Sequence, residues 1–113
     1  MRIDIKARNL TVGDALRGRV QRRFEKVGRQ VSSLARMEVE LWEERNPSIR
    51  ESQVAEATLY LKGVTLRACK RSASMVQSIN LASDDLARQV KRHRDKRRGR
   101  REGARVEART AAP

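Results

Sequence analysis

The apolar residues of this chain recur with two different periods, and the order of those periods limits the folds that it can adopt. Residues 2–7 alternate charged and apolar side chains, and so do the residues from Met37 to Trp42, which is typical of half-buried strands. Residues 55–61 and 64–68 alternate in the same way around Lys62-Gly63, so they predict a hairpin. The chain therefore contains four predicted strands.

Two segments instead carry an apolar residue every three or four positions, the helical period. The first lies between strands one and two, and Thr11, three residues before Asp14, is its expected N-cap. The second begins after Ser72 or Ser74 and loses its stripe after Val90. The apolar positions are Leu16, Val20, Phe24 and Val27 in the first helix and Met75, Ile79, Ala82, Leu86 and Val90 in the second.

This order predicts an α+β domain, β-α-β-β-β-α, with a four-stranded sheet and both helices packed on one face. A chain of 113 residues has room for one core. His93 and Arg97 occupy the next stripe positions, so the second helix is expected to leave the body there. We expect residues 1–98 to form the domain and residues 99–113, with Gly99, Gly103 and Pro113, to be a basic disordered tail or linker.

The net charge of +13 indicates a polyanionic partner, because charge this far from zero destabilises a compact state. Residues 91–113 hold ten Lys or Arg against three acids, whereas most other acids lie in the predicted sheet. Only Phe24, Trp42 and Tyr60 are aromatic, so the chain has few side chains on which RNA bases could stack. RNA, bound mainly through its phosphates and shape, is the expected partner.

One flank of the first helix is basic. At about 100° per residue, five cations fall within a sector of roughly 120°: Arg19, Arg22, Arg23, Lys26 and Arg29. Surface helices also carry Arg for solubility and helix propensity, and the run Lys91–Arg101 could be a solvated tail. Two adjacent basic helices would, however, form a groove able to follow two rows of phosphates.

Other classes of function have little support. With one Cys and one His, the chain offers neither an intramolecular disulfide nor a conventional Cys/His metal site, and no cofactor is expected. No catalytic triad or Gly-rich phosphate loop is suggested, so we predict no enzyme. No apolar run approaches the roughly 20 residues that span a bilayer, and the charged N-terminus is unlike a signal peptide, so a cytoplasmic protein is expected.

Several short segments in order resemble the ribosome hibernation-promoting factors, also called ribosome-associated inhibitors or sigma-54 modulation proteins. The resemblance covers about residues 2–98. It includes Ile3-Asp4-Ile5, Leu10-Thr11-Val12, Glu44-Arg45-Asn46-Pro47, Gly63-Val64-Thr65-Leu66 and the run from Leu86 to Lys96. At Ser74–Asn80 the chain lacks two acids and a tyrosine that the family usually has, although the core positions Met75 and Ile79 remain.

The resemblance implies a fold similar to double-stranded RNA-binding domains and a non-enzymatic regulator of translation. Such a protein would bind the small ribosomal subunit and its rRNA at the decoding region, compete with mRNA and tRNA, and promote hibernation under stress. Ribosome dimerisation would require a C-terminal domain, which long members have. Matching basic positions are Arg17, Arg23, Lys26, Arg29, Arg88, Lys91, Arg92, Arg94 and Lys96; helical projection adds Arg19, Arg22 and Arg97.

Two alternatives remain open at the level of sequence. A general double-stranded RNA-binding protein would share the layout and the preference for A-form shape. A protein-interaction or transcription-modulating module would use the basic tail only for solubility.

Overall fold

The six regular elements follow the predicted order. The structure, a computed structural model, describes the backbone of residues 1–46 and 48–110, and the side chains of these residues up to Arg97 together with Gly99. The elements are β1 (Arg2–Arg8), α1 (Asp14–Gly28), β2 (Arg36–Glu43), β3 (Gln53–Leu61), β4 (Val64–Ser72) and α2 (Met75–Thr110). The predicted β-α-β-β-β-α fold is confirmed.

The four strands form one sheet in the order β1-β2-β3-β4. β1 runs parallel to β2, because α1 carries the chain back across the sheet, and the other two pairings are antiparallel. Leu61 pairs with Val64 around the two-residue turn Lys62-Gly63, and Gly63 has φ +80°, which favours glycine. β4 extends to Ser72, beyond the predicted end at residue 68, because Lys70 and Arg71 continue to pair with β3.

Both helices cover the same face of the sheet, as predicted. The fully buried side chains of α1 and α2, among them Phe24 and Leu86, pack on the inward residues of the strands, such as Met37 and Leu59. α2 lies over β3 and β4 and α1 lies beside it. The buried stripe of α2 ends at Val90, as the spacing of its apolar residues predicted.

The starts of the helices show where local sequence signals succeed and fail. The expectation of Thr11 as an N-cap is wrong: α1 begins at Asp14, and Gly13 is an N-cap without a side-chain hydrogen bond. The carbonyl of Gly13 accepts the Arg17 N–H at 2.9 Å, and Asp14 places a negative charge in the first turn. Of the two candidates for α2, Ser74 caps it, because its Oγ accepts the Gln77 N–H at 3.5 Å.

α2 does not end near residue 98. Its backbone is helical to Thr110, whereas the composition of residues 99–113 predicts a disordered tail. Lys and Arg have good helix propensity, which offsets the cost of an interior glycine at Gly99. Val90 is the last buried side chain among the described residues of α2. From Val90 to Thr110 the helix continues for about 30 Å, at 1.5 Å per residue. The expected domain boundary at residue 98 stays a prediction, and residues 111–113 lie outside the described part.

Candidate RNA-binding surface

The basic flank of α1 borders α2. Arg22, Lys26 and Arg29 are exposed, while Arg19 and Arg23 are half-buried. Arg23 lies at the contact between the helices, where its Nε donates to Asn80 Oδ1 at 2.8 Å and its guanidinium lies 3.8 Å from Asp84. Arg23 and Lys26 therefore line the groove between the helices, and Arg23 also joins the two helices. Arg29 instead lines a cleft beside Met1 and Glu25.

Arg17 is set apart from these five. At about 100° per residue it projects roughly 120° away from Arg23, on the flank of α1 that faces away from α2. Its side chain is exposed. The resemblance that suggested Arg17 therefore selects a position outside the groove.

The predicted cations of α2 do not share one face. Arg88, Lys91 and Arg92 project within about 60° of the direction opposite to the buried stripe. Arg94 and Arg97 instead line a cleft against the end of α1 and the turn Lys62-Gly63. Lys96 lines a second cleft beside that turn. Because the helix extends beyond the body, its cations surround it.

Most of these cations have no carboxylate partner. Among the described side chains, ion pairs within 4.0 Å involve only two predicted site residues, Arg23 with Asp84 and Arg88 with Asp85 at 3.8 Å. The other ten carry charge that no described acid neutralises at that distance: Arg17, Arg19, Arg22, Lys26, Arg29, Lys91, Arg92, Arg94, Lys96 and Arg97. We call the exposed surface of α1 and α2 up to Arg97 the helical layer.

The open face of the sheet is arranged differently. Arg8 lies 2.7 Å from Glu40 and stacks over Trp42, with its guanidinium carbon 4.8 Å from the ring centroid. Arg36 lies 3.8 Å from Glu38 and 4.5 Å from the Tyr60 ring centroid. Acids thus offset Arg8 and Arg36 on this face, whereas Arg67 and Arg71, exposed on the same face, have no described carboxylate within 4.0 Å. Glu38 and Glu40, two of the acids that the sequence places in the sheet, thus lie on the open face.

Three loop residues that border the helical layer were not predicted from the sequence. Lys62 was assigned only to a turn, and Gln30 and Ser32 were given no role, yet all three line the cleft that Arg94 and Arg97 border. Lys62 stood in a predicted turn, but the position of that turn beside the end of α2 depends on how α2 crosses the sheet. That crossing is a tertiary feature.

Cys69 lies on the open face, directly opposite Glu56 in the sheet. Partial burial and the neighbouring carboxylate of Glu56 raise the pKa of the thiol above its ordinary value, despite the opposing effect of Arg71. A thiol held in its neutral form is a poor nucleophile. Within the described residues no cluster of His, Cys, Asp and Glu could hold a metal ion, and no helix is long and apolar enough to cross a membrane.

Fold and charge together define a small α+β domain whose two-helix layer carries the basic surface. Residues 3–98 match the family described as sigma 54 modulation protein / S30EA ribosomal protein, and the chain belongs to this family. It is 30% identical to a ribosome hibernation promotion factor of Picosynechococcus sp. over 88% of this chain and 52% of that one. It is also 30% identical to a ribosome hibernation promoting factor of Azotobacter vinelandii, over 93% and 94% of the two chains.

Among solved structures, the N-terminal domain of Thermus thermophilus Protein Y superposes with a TM-score of 0.70 at 28% identity. The match covers 82% of this chain and 99% of that domain. This chain thus spans about half the length of the cyanobacterial relative and nearly all of the Azotobacter relative.

Proposed function

We propose that this protein is a non-enzymatic, cytoplasmic regulator of translation that binds the small ribosomal subunit at the decoding region. The observation that carries the proposal is the helical layer, where ten predicted cations lack a carboxylate partner among the described side chains. Exposed unpaired cations on two adjacent helices suit the regular phosphates of folded RNA. Two relatives named as hibernation factors support the ribosome as the source of that RNA.

The mechanism is occupancy. A domain held over rRNA by its helical layer would exclude mRNA and tRNA from the same space and favour ribosome hibernation under stress. No bond is made or broken, so the protein needs only affinity and bulk. Dimerisation of ribosomes would be a separate property of a longer protein, because relatives of about twice this length carry additional sequence.

Co-sedimentation with purified small subunits tests the proposal. Reversing three outward cations of α2, with Arg88→Glu, Lys91→Glu and Arg92→Glu, lowers the net charge from +13 to +7, two charges per substitution. These side chains are exposed, so the fold should persist by circular dichroism. We expect the triple variant to leave the subunit fraction at about 100 mM salt, because phosphate contacts dominate such binding.

A matched control makes the same change of charge elsewhere. Arg45, Arg67 and Arg71 are exposed, and Arg67 and Arg71 alternate with the inward residues of β4. Reversing these three also gives +7 but leaves the helical layer intact, so co-sedimentation should be retained. Equal loss in both variants would show that net charge, not the helical layer, governs binding.

Competition separates the proposal from the two alternatives. A ribosome-directed factor should stay bound to subunits in the presence of excess random duplex RNA, whereas a general double-stranded RNA binder should be displaced. A protein-interaction module should bind subunits weakly and with little dependence on salt. By contrast, engagement of about 6–10 phosphates would weaken binding by about 10³–10⁵ between about 50 and 200 mM salt.

A further inference from the structure

The helical layer is not uniformly convex. A cleft of about 230 Å³ opens where the end of α1, the turn after β3 and the last body-facing turn of α2 meet. Its floor is apolar and is formed by Val31, Leu61 and Val90. Val90 is fully buried, and the other two are half-buried. The floor therefore lies at the edge of the hydrophobic core, where Val31 and Leu61 are partly accessible.

The rim of the same cleft is cationic. Lys62, Arg94 and Arg97 are exposed, His93 is half-buried, and all four line the cleft. Within the described part of the chain, none of these four lies within 4.0 Å of a carboxylate. The cleft therefore combines three apolar side chains with cations that no described carboxylate neutralises.

The heptad spacing of α2 explains this combination. His93 and Arg97 continue the stripe of Leu86 and Val90, within about 60° around the helix. Over the strands those positions are filled by core residues, but β3 ends at Leu61, so no strand covers the next turns. Polar groups at core positions then face a gap and not a packed interior. A second, wider cleft of about 590 Å³ continues from it and shares Lys62, His93 and Arg97.

We propose that the first cleft binds one unstacked nucleotide, with the base on the apolar floor and the phosphate against Lys62, Arg94 and Arg97. This inference rests on the proposed function in taking RNA as the source of the nucleotide. Sequence-specific RNA recognition commonly uses bases that leave the stack and lie on aromatic rings or on Arg guanidinium planes. In this cleft His93, Arg94 and Arg97 are the side chains of those types. The second cleft would carry the continuing phosphodiester chain past Lys96.

Size and polarity favour a single nucleotide. The cleft is smaller than the roughly 300–1,000 Å³ of pockets for drug-sized ligands, so it suits one base and not a dinucleotide. Gln30 and Ser32 also line it and can exchange hydrogen bonds with the edge of a base. An acidic peptide would use the cationic rim but would leave the apolar floor without a partner.

Nuclear magnetic resonance with adenosine monophosphate (AMP), adenosine and inorganic phosphate as separate probes tests the cleft. We expect saturable AMP shifts confined to amides of residues 30–32, 61–63 and 90–97, with about tenfold weaker binding of either half alone. Equal affinity for phosphate and AMP, or shifts spread over the whole helical layer, would overturn the proposal. Tighter binding of a hexaglutamate peptide to these amides would overturn it as well.

Filling the cleft supplies a variant that keeps every charge. Ser32→Trp places an indole over the floor, while Ser33→Trp, one residue on, faces a different cleft beside Met1. We expect Ser32→Trp to weaken AMP binding about tenfold and Ser33→Trp to leave it unchanged. His93→Ala, which needs no new bulk, should weaken AMP binding too, so misfolding of the tryptophan variant would not decide the outcome.

The source of the nucleotide is tested with a tetra-adenylate. About tenfold tighter binding than AMP, through added phosphate contacts along the second cleft, supports RNA, and equal affinity overturns that assignment. Co-sedimentation separates this inference from the proposed function. If the wild-type protein binds subunits but not AMP, the nucleotide-binding proposal alone is refuted. If it binds AMP in the cleft but not subunits, the proposed function alone is refuted.

Discussion

Arg23 and Lys26 are one turn apart on the same flank of α1, but Arg23 contacts α2 whereas Lys26 has no described carboxylate partner. Arg23 is held by Asn80 at 2.8 Å and lies 3.8 Å from Asp84, with a third of its side chain exposed. Lys26 is exposed and has no described carboxylate within 4.0 Å. Arg23→Gln should therefore reduce stability, and Lys26→Gln should reduce RNA binding.

The magnitudes follow from these contacts. A hydrogen bond from a charged group contributes about 1.5–3 kcal/mol, but partial exposure of Arg23 screens the pair, so we expect Arg23→Gln to cost about 1 kcal/mol. For a domain of this size that lowers the Tm by about 4–8 °C. Lys26→Gln should change the free energy of unfolding by less than about 0.5 kcal/mol.

For RNA binding we expect the opposite ranking, with a larger effect for Lys26→Gln than for Arg23→Gln. Each phosphate contact adds about 0.9 to the slope of log K against log salt for a duplex, so losing Lys26 should lower that slope by about one. Arg23→Gln should leave it nearly unchanged. Thermal unfolding by circular dichroism and salt titration of subunit binding measure the two quantities in the same variants. A Lys26-like drop in slope for Arg23→Gln, with no loss of Tm, would refute the division of roles.

Three further outcomes are expected. Ser78→Ala removes a buried hydroxyl that donates to the Gln53 carbonyl at 2.7 Å, and it should cost about 1–3 kcal/mol in urea unfolding; a neutral result would mean that this bond contributes nothing. Alkylation of Cys69 should be slow near neutral pH and accelerate as pH rises towards its raised pKa. Glu56→Gln should lower that pKa and speed the reaction at fixed pH, whereas an unchanged rate would contradict the part assigned to the carboxylate. Truncation after Arg98 should leave the Tm within about 2 °C, because no described side chain beyond Val90 is fully buried; a larger fall would place the domain boundary further along.

The order of the elements was predictable because each period depends on local sequence. Met37 and Leu41 alternate with charged neighbours, and Ile79 and Leu86 repeat at helical spacing, so strands and helices could be told apart. The N-cap of α1 was wrongly predicted at Thr11 because a capping residue is recognised in a sequence only by its distance from the first turn. In the structure Gly13 takes that position and has no side chain to form a capping hydrogen bond. The end of α2 was misjudged for a similar reason: Gly99 reads as a breaker, although it costs only about 1 kcal/mol among good helix formers.

The candidate surface was predictable only where one helix determines it. The sector from Arg19 to Arg29 follows from helix geometry alone, but the engagement of Arg23 depends on Asn80, which is 57 residues away in the chain. Lys62 and Ser32 were missed because nothing local shows that their loops meet the end of α2. Contacts of this kind arise from the crossing of α2 over β3 and β4, which no periodicity encodes.

The charge of α2 has a different meaning on either side of Val90. Before Val90 the helix must keep one face apolar, and its one cation there, Arg88, lies on the outer side, where a flat RNA surface could meet it. After Val90 no strand constrains the helix, and cations occur at every angle around it. A helix charged on all sides can lie within an RNA groove and meet phosphates on both walls. The same change from one-sided to all-round charge leaves His93 and Arg97 facing the gap at the end of the core, so the cleft and the projecting helix have one structural cause.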